Sequence, residues 1–190
     1  MKRILVLLPF VLSGCWSNEA VQEQQGVGMI TVTSSAFEHG KNIPSPYTCE
    51  GENYSPDLAW TGIPAGTKSL ALLCDDPDAS PNDPADPATV TKTWTHWVVA
   101  NLPPDLTGLP EKATIARYQG AIVGTNSFGK TNYGGPCPPK GVHRYFFKLY
   151  ALDIMLSLDQ NATGEELAAA LQGHIIGQGV LMGHYKKRGQ

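Results

Sequence analysis

Hydrophobic residues along this chain alternate with polar ones or form short continuous runs, and turn residues bound each segment. These segments are rich in β-branched and aromatic side chains, which favours strands over helices. The strongest predicted strands span residues 69–75, 95–102 and 143–152, and shorter ones are predicted at 29–33 and 55–60. The pattern therefore predicts a mainly β protein.

One segment has the pattern of an α-helix. Thr163 and Glu166 fit a capping box, in which each side chain satisfies a backbone N–H group at the start of the helix. Apolar residues then follow at helical spacing: Leu167, Ala170 and Leu171. We expect this helix to end near Gly173. The segment 185–188, a tyrosine followed by three basic residues, is expected to be a solvated end of the chain.

Composition narrows the class of protein. With 190 residues, 16% charged residues and a net charge of -3, the chain suits one folded domain. It lacks the basic excess that binding to a nucleic-acid backbone requires. We therefore expect no nucleic-acid partner.

Glycine and proline concentrate in two segments, residues 77–93 and 124–142. Loops of this length are uncommon in a compact domain unless they are functional or disordered. We favour ordered loops that form a site, because proline lowers the entropic cost of ordering them.

The beginning of the chain resembles an export signal. Residues 1–3 carry two positive charges, residues 4–12 form an apolar run too short to span a bilayer, and Ser13-Gly14-Cys15 resembles the bacterial lipobox. This pattern predicts a signal peptide at 1–14, a lipidated Cys15, a flexible tether to residue 28 and a folded domain at 29–190. The alternative is an ordinary secretory signal with a cysteine that follows it by chance.

A lipidated Cys15 would place the protein in the bacterial cell envelope, held on a membrane by its acyl chains. Trp16 follows the cysteine instead of the aspartate associated with retention at the inner membrane. We therefore expect the periplasmic face of the outer membrane.

Three cysteines remain once Cys15 is assigned to lipid. Cys74 lies in an apolar run and is predicted to be a small core residue. Cys49 and Cys137 both lie in turn-rich segments, and the periplasm permits disulfides. We hypothesise that these two are bridged; the open alternative is three free thiols.

Ionisable side chains stand where strands meet the long loops. Asp75 and Asp76 end one predicted strand, and His96 and His143 open two others. Tyr145 shares a strand face with His143, whereas Arg144 points to the other face. Imidazole and phenol groups donate hydrogen bonds to anions, and a carboxylate fixes a histidine tautomer.

Other chemistries have weaker support. The N–H groups of Gly134 and Gly135 could approach the same anion, although each histidine could instead be a satisfied residue at a strand end. Metal binding by His96, His143 and Asp76 is conceivable from ligand type alone. The chain has no G-x-S-x-G, H-E-x-x-H or P-loop motif, so we predict neither a cofactor nor an activated nucleophile.

A series of motifs in order is similar to the phosphatidylethanolamine-binding protein family, also called Raf-kinase-inhibitor-like, and most of all to its bacterial branch. The motifs are DDPDA at 75–79, THWVVANL at 95–102, GTNSFG at 124–129, YGGPCPP at 133–139 and GVHRYFFKLYAL at 141–152. The similarity extends from about Met29 to Tyr185.

The resemblance implies a Greek-key antiparallel β-sandwich with a few peripheral α-helices. It also implies a small pocket for an anion such as phosphate or a phospholipid headgroup, with these lining residues: Asp76, His96, Gly135, Pro139, His143 and Tyr145. Ser80 and the acidic insertion 83–87 depart from the family pattern and leave the shape of the pocket mouth open.

Three functions remain possible at this point. The first is a lipid-anchored, non-catalytic protein that binds a small anion or a phosphate-bearing headgroup. The second is an inhibitor or interaction protein for a protease, a kinase or a host target. The third is a weak hydrolase with His143 as general base.

Overall fold

The computed structural model describes residues 26–79 and 93–189. Its strands are β1 (Gly28–Met29), β2 (Thr31–Thr33), β3 (Lys41–Asn42), β4 (Leu58–Thr61), β5 (Ser69–Asp76), β6 (Trp94–Leu102), β7 (Gly108–Leu109), β8 (Ile122–Val123), β9 (His143–Leu152) and β10 (Ile175–Tyr185). The α-helix α1 (Gly164–Ala170) precedes β10, and 3₁₀ turns lie at Ser45–Tyr47, Pro77–Ala79 and Ile115–Arg117.

The strands form two sheets. The larger has the order β1-β10-β9-β5-β6-β8, with β3 also paired to β10, and the smaller has the order β2-β4-β7. The central strands of the larger sheet pair antiparallel, as predicted, but β1 and β3 both run parallel to β10. These two short strands cover the outer edge of β10, which would otherwise present unpaired backbone groups.

Hydrophobic cores lie on both faces of the larger sheet. The main core fills the space between the sheets, where Trp60 of the smaller sheet packs with Trp97 and Phe147 of the larger one. A second core on the opposite face joins Leu73 to Leu167 of α1. All eight residues of β5 are buried because this strand is covered on both faces.

The predicted strands agree with the structure where the pattern was strongest. β5, β6 and β9 lie within one residue of the predicted bounds. The single strand predicted at 29–33 is instead two strands, because the chain passes from the larger sheet to the smaller one at Ile30.

The longest strand, β10, was missed, and the prediction of a solvated end at 185–188 is wrong for Tyr185, which is buried. Glycine weakens a strand pattern, and β10 contains Gly177, Gly179 and Gly183. The structure needs these glycines, since a Cβ atom on Gly179 would lie 2.1 Å from the carbonyl oxygen of Ile30.

The capping box of α1 is confirmed. The Thr163 hydroxyl accepts from the N–H of Glu166 at 3.2 Å, and the Glu166 carboxylate accepts from the N–H of Thr163 at 2.7 Å. The chain turns away at Gly173, which has a φ of +79°. Within the described residues α1 is the single α-helix, and no helix there has the length and hydropathy to cross a membrane.

Several sequence predictions lie outside the described residues. These are the signal peptide at 1–14, the lipidation of Cys15, all but the end of the tether, and residues 80–92 of the first long loop.

A disulfide joins Cys49 to Cys137, and Cys74 is a buried free thiol. The bridge connects the turn after the first 3₁₀ helix to the second long loop, across 88 residues. A backbone hydrogen bond from the Cys49 N–H to the Pro136 carbonyl, 3.1 Å long, supports the same junction.

Replacing both Cys49 and Cys137 by alanine is expected to lower the free energy of unfolding by about 2–5 kcal/mol, because a bridge over a long loop reduces the entropy of the unfolded chain. Urea unfolding of the oxidised protein and of the double variant measures this difference. Reductant should destabilise the wild type and the Cys74→Ala control, but not the double variant. A double variant as stable as the oxidised wild type would contradict this assignment.

Candidate functional site

Three strand ends meet at one edge of the larger sheet. β5 lies between β6 and β9 and is antiparallel to both, so its last residues adjoin the first residues of its two neighbours. Asp76 pairs with Trp94, and Asp75 pairs with Phe146 near the start of β9. The side chains predicted to meet are thus brought to one place by strand pairing.

A cavity of about 210 Å³ opens at this edge. Its lining combines aromatic rings and prolines with a few polar groups: Asp76, Ala79, Trp94, His96, Phe128, Cys137, Pro138, Pro139 and Tyr145. Ligand sites in proteins share this mixture of an apolar wall and a few placed polar atoms. The volume suits a small chemical group.

Asp76 is held by three hydrogen bonds at the base of the cavity, where it is 1% exposed. Its Oδ1 accepts from the backbone N–H groups of Asp78 at 2.8 Å and Ala79 at 3.0 Å. Its Oδ2 lies 2.8 Å from Nδ1 of His143. The 3₁₀ turn and His143 together therefore fix the position of the Asp76 carboxylate.

A β-bulge places His96 in the cavity. Cys74 lies opposite Trp97, but the next residue of β5 lies opposite Thr95, so His96 is an extra residue on β6. A bulge re-aims a side chain relative to strict alternation. The His96 ring consequently packs edge-on against Tyr145, with ring centroids 5.1 Å apart.

The two nitrogens of His96 have different surroundings. Nδ1 lies 2.5 Å from the carbonyl oxygen of Gly134, whereas Nε2 is buried without a hydrogen-bond partner among the described residues. Burial is the largest influence on this ring and lowers its pKa below the ordinary 6.5. His96 is therefore neutral at pH 7.

Tyr145 is fully buried, and its hydroxyl makes no hydrogen bond of good geometry within the described residues, although it lies close to the Asp76 carboxylate. Burial, and then the negative charge of Asp76, raise the pKa of the phenol far above its ordinary value. The hydroxyl thus keeps its proton and remains a donor. A buried polar atom without a partner costs stability, so these two atoms make the cavity a candidate site for a polar ligand.

The second long loop forms one wall of the cavity. Asn126 organises its beginning, since its Oδ1 accepts from the N–H groups of Phe128 and Lys130. The Phe128 ring lies 5.5 Å from the His96 ring, between centroids. Cys137, Pro138 and Pro139 complete this wall.

The segment 45–53 holds this loop in place. The hydroxyl of Tyr133 donates to the Tyr47 carbonyl at 2.9 Å, and the N–H of Gly135 donates to Oδ1 of Asn53 at 2.7 Å. A Cβ atom on Gly135 would lie 2.4 Å from the Tyr47 carbonyl oxygen, so only glycine permits this contact. The Cys49–Cys137 disulfide joins the same two segments.

The expectation that Gly134 and Gly135 offer N–H groups to an anion is wrong. The Gly134 N–H donates to the His96 carbonyl at 2.9 Å, and the Gly135 N–H is taken by Asn53. Gly135, predicted to line the cavity, is not among its lining residues.

Charged side chains near the site are paired outside the cavity. Arg144 points away from it, as predicted, and makes two hydrogen bonds to the carboxylate of Asp78, at 2.7 and 2.9 Å. These bonds lower the pKa of Asp78 and fasten the 77–79 turn to β9. Among residues 26–79 and 93–189, no lysine or arginine lines the cavity.

The structure brings together four of the predicted site residues: Asp76, His96, Pro139 and Tyr145 line the cavity. His143 supports Asp76 without lining it. Sequence reasoning missed the wall residues Trp94, Phe128 and Pro138. Their signal was present, since each is an apolar residue next to a predicted strand end or inside the glycine-rich loop.

The described part of the chain has no group of three or more histidine, cysteine, aspartate or glutamate side chains placed to hold a metal ion. The ring of His96 faces Tyr145 and the Gly134 carbonyl, while His143 faces Asp76. His96 and His143 therefore contact different groups and do not converge on one metal site.

His96 is expected to make the protein less stable as the pH falls below about 6.5. Its pKa is lower in the folded state, so between the two pKa values the unfolded chain binds a proton that the folded chain does not. Urea unfolding at pH 7.5 and 5.5 should show a larger loss of stability for the wild type than for His96→Gln. The exposed His39 gives the control, since His39→Gln should keep the wild-type loss; an equal loss in His96→Gln would refute the argument.

The chain is similar in sequence to a known protein family and to several of its relatives. A family model described as phosphatidylethanolamine-binding protein matches residues 33–186. A UPF0098 protein of Methanothermobacter thermautotrophicus is 48% identical over 160 residues, which cover 83% of this chain and 99% of that protein. A UPF0098 protein of Chlamydia trachomatis is 42% identical over 156 residues, which cover 82% and 98%.

Two solved structures are similar to this chain in both sequence and fold. The crystal structure of a phosphatidylethanolamine-binding protein homologue from Chlamydia trachomatis is 41% identical, has a TM-score of 0.73 and is matched over 84% of this chain and 98% of that one. E. coli YbcL, described as a new member of the mammalian PEBP family, is 34% identical with a TM-score of 0.74, over 84% and 99%. The family and the β-sandwich fold predicted from the motifs are confirmed: this chain belongs to the phosphatidylethanolamine-binding protein family.

Proposed function

We propose that this protein is a non-catalytic binding protein whose cavity takes a small anionic group of the phosphate or headgroup type. The observation that carries this proposal is the pair of buried polar atoms without partners, Nε2 of His96 and the hydroxyl of Tyr145, on a cavity of about 210 Å³. A ligand oxygen that reaches the Tyr145 hydroxyl can accept a hydrogen bond from it. This contact removes the free-energy cost of a buried donor without a partner.

The walls support recognition of a small group at the end of a larger molecule. Trp94 and Phe128 pack edge-on, with centroids 5.4 Å apart, and form an apolar rim beside the polar base. Ala79 and the prolines are short or rigid, so little side-chain entropy is lost on binding. The family model is described as phosphatidylethanolamine-binding protein and one matched solved structure as a homologue of it, which favours a phosphate-bearing ligand.

The two other functions have less support. A hydrolase with His143 as general base requires this ring to reach the substrate, but His143 does not line the cavity and its Nδ1 is occupied by Asp76. An inhibitor that recognises an anionic group on a protein partner would use the same cavity, so it is a variant of the binding proposal.

We further propose that Cys15 anchors the protein to the periplasmic face of the outer membrane. Its support is the order of a positive start, a short apolar run and Ser13-Gly14-Cys15. The first described strand begins at Gly28, which leaves 12 residues, 16–27, as a tether to the domain. Such a tether is rich in polar residues and spans at most about 40 Å when fully extended.

Tyr145→Phe is expected to weaken binding of inorganic phosphate or phosphoethanolamine about 10- to 100-fold, because it removes one hydrogen bond to a charged ligand and keeps the aromatic ring. Isothermal titration calorimetry measures the dissociation constants. Tyr150→Phe is the matched control, because Tyr150 lies on the same strand but packs on the opposite face of the sheet. Unchanged affinity in Tyr145→Phe, or absence of binding by the wild type, would reject the proposal.

Cys15→Ser is expected to move the protein from the membrane fraction to the soluble periplasmic fraction and to abolish labelling with radioactive palmitate. Cys74→Ser, a change inside the domain, should leave both readouts as in the wild type. A Cys15→Ser protein that stays in the outer-membrane fraction would refute the anchor.

A further inference from the structure

The hydrogen on the His96 ring has a fixed position. A carbonyl oxygen only accepts, so Nδ1, 2.5 Å from the Gly134 carbonyl, carries the hydrogen. Gly134 is itself held, because its N–H donates to the His96 carbonyl at 2.9 Å. The two residues are thus joined by two hydrogen bonds, and the one to the ring makes Nδ1 the donor nitrogen.

Nε2 is therefore an acceptor. Burial lowers the pKa of His96, which keeps the ring neutral and Nε2 without a proton at pH 7. The titratable groups that face the ring are Asp76 from β5 and His143 and Tyr145 from β9; Phe128 and Gly134 from the loop are uncharged. A fully ionised oxyanion would place an oxygen lone pair against this nitrogen lone pair.

The Tyr145 hydroxyl is a donor, since it keeps its proton. The Asp76 carboxylate beside it only accepts, and its two oxygens already take three hydrogen bonds. The polar base of the cavity is therefore short of donors. It matches a group that presents both an acceptor oxygen and an O–H.

We propose that the cavity selects an oxyacid that still carries a proton, such as a phosphomonoester monoanion, and that His96 is the residue that determines this specificity. The inference rests on the proposed binding function. In the complex, a P–O–H group donates to Nε2 of His96, and the Tyr145 hydroxyl donates to a second phosphate oxygen. Sulfate esters and phosphodiesters, which have no such proton, bind only if His96 takes a proton from solvent.

Methyl phosphate and methyl sulfate are the matched probes. At pH 5.5 the main form of methyl phosphate has the same charge and shape as methyl sulfate and differs by the one proton, because the second pKa of a phosphomonoester is about 6. Isothermal titration should show methyl phosphate binding about 10- to 100-fold more tightly to the wild type. Equal affinity for the two would overturn the inference and leave the binding function intact, whereas binding of neither would overturn both.

A second pair of probes tests whether the cavity takes the phosphate of a free monoester or that of a lipid headgroup. Phosphoethanolamine is a monoester, and glycerophosphoethanolamine is the diester found in a lipid headgroup. The monoester is expected to bind more tightly by a similar factor. A diester that binds equally well would show that the cavity accepts a lipid headgroup without a proton on the phosphate, which contradicts the role given to His96.

His96→Gln separates the role of the ring from a structural one. A carboxamide can turn its NH₂ group toward the ligand, so the preference for methyl phosphate should fall to within about threefold, with methyl sulfate binding gained. Tyr145→Phe is the counterpart and should weaken both probes while keeping their ratio. A ratio that stays at the wild-type value in His96→Gln would overturn the assignment.

Proton uptake in the wild type tests the same point without any variant. Titrations in buffers of different ionisation enthalpy at pH 7.5 should show about one proton taken up with either probe, because methyl phosphate is then mostly a dianion. At pH 5.5 uptake should fall for methyl phosphate, most of which brings its own proton. Zero uptake with both probes at pH 7.5 would contradict the inference.

Discussion

The antiparallel pairing of β5 with both β6 and β9 is the constraint on which the site depends. It sets the end of one strand against the beginnings of two others, and so gathers residues that are up to about 70 positions apart in the chain. β5 is buried on both faces, so its position cannot shift without disturbing two cores. The polar groups of the cavity therefore stand on or beside a strand that is packed between two cores, and a selective site requires such firm support.

The opposite wall has a different origin, because a loop and not a sheet supplies it. The glycine-rich segment takes its shape from the segment 45–53, through a disulfide, a side-chain amide and a tyrosine hydroxyl. Each of these contacts joins residues that are distant in sequence. The cavity is thus rigid on one side through hydrogen-bonded strands and on the other through a few specific contacts.

Much of this could be predicted from the sequence, for physical reasons. Long apolar strands such as β5 and β9 have strong patterns, and the capping box of α1 is a local signal. β10 could not be predicted, because Gly179 is required by the close approach of Ile30, a contact that no local pattern reveals. The bulge at His96 and the use of the Gly135 N–H by Asn53 are tertiary features for the same reason.

The pairing of β1 with β10 has a consequence for the order in which the larger sheet can form. Gly28, near the start of the described chain, lies beside Gly177, near its end, and β3 joins the same strand at Gly183. This edge of the larger sheet therefore cannot close until β10 pairs with two segments from near the other end of the described chain. Contacts between such distant residues form slowly, so we expect this edge of the sheet to be completed late in folding.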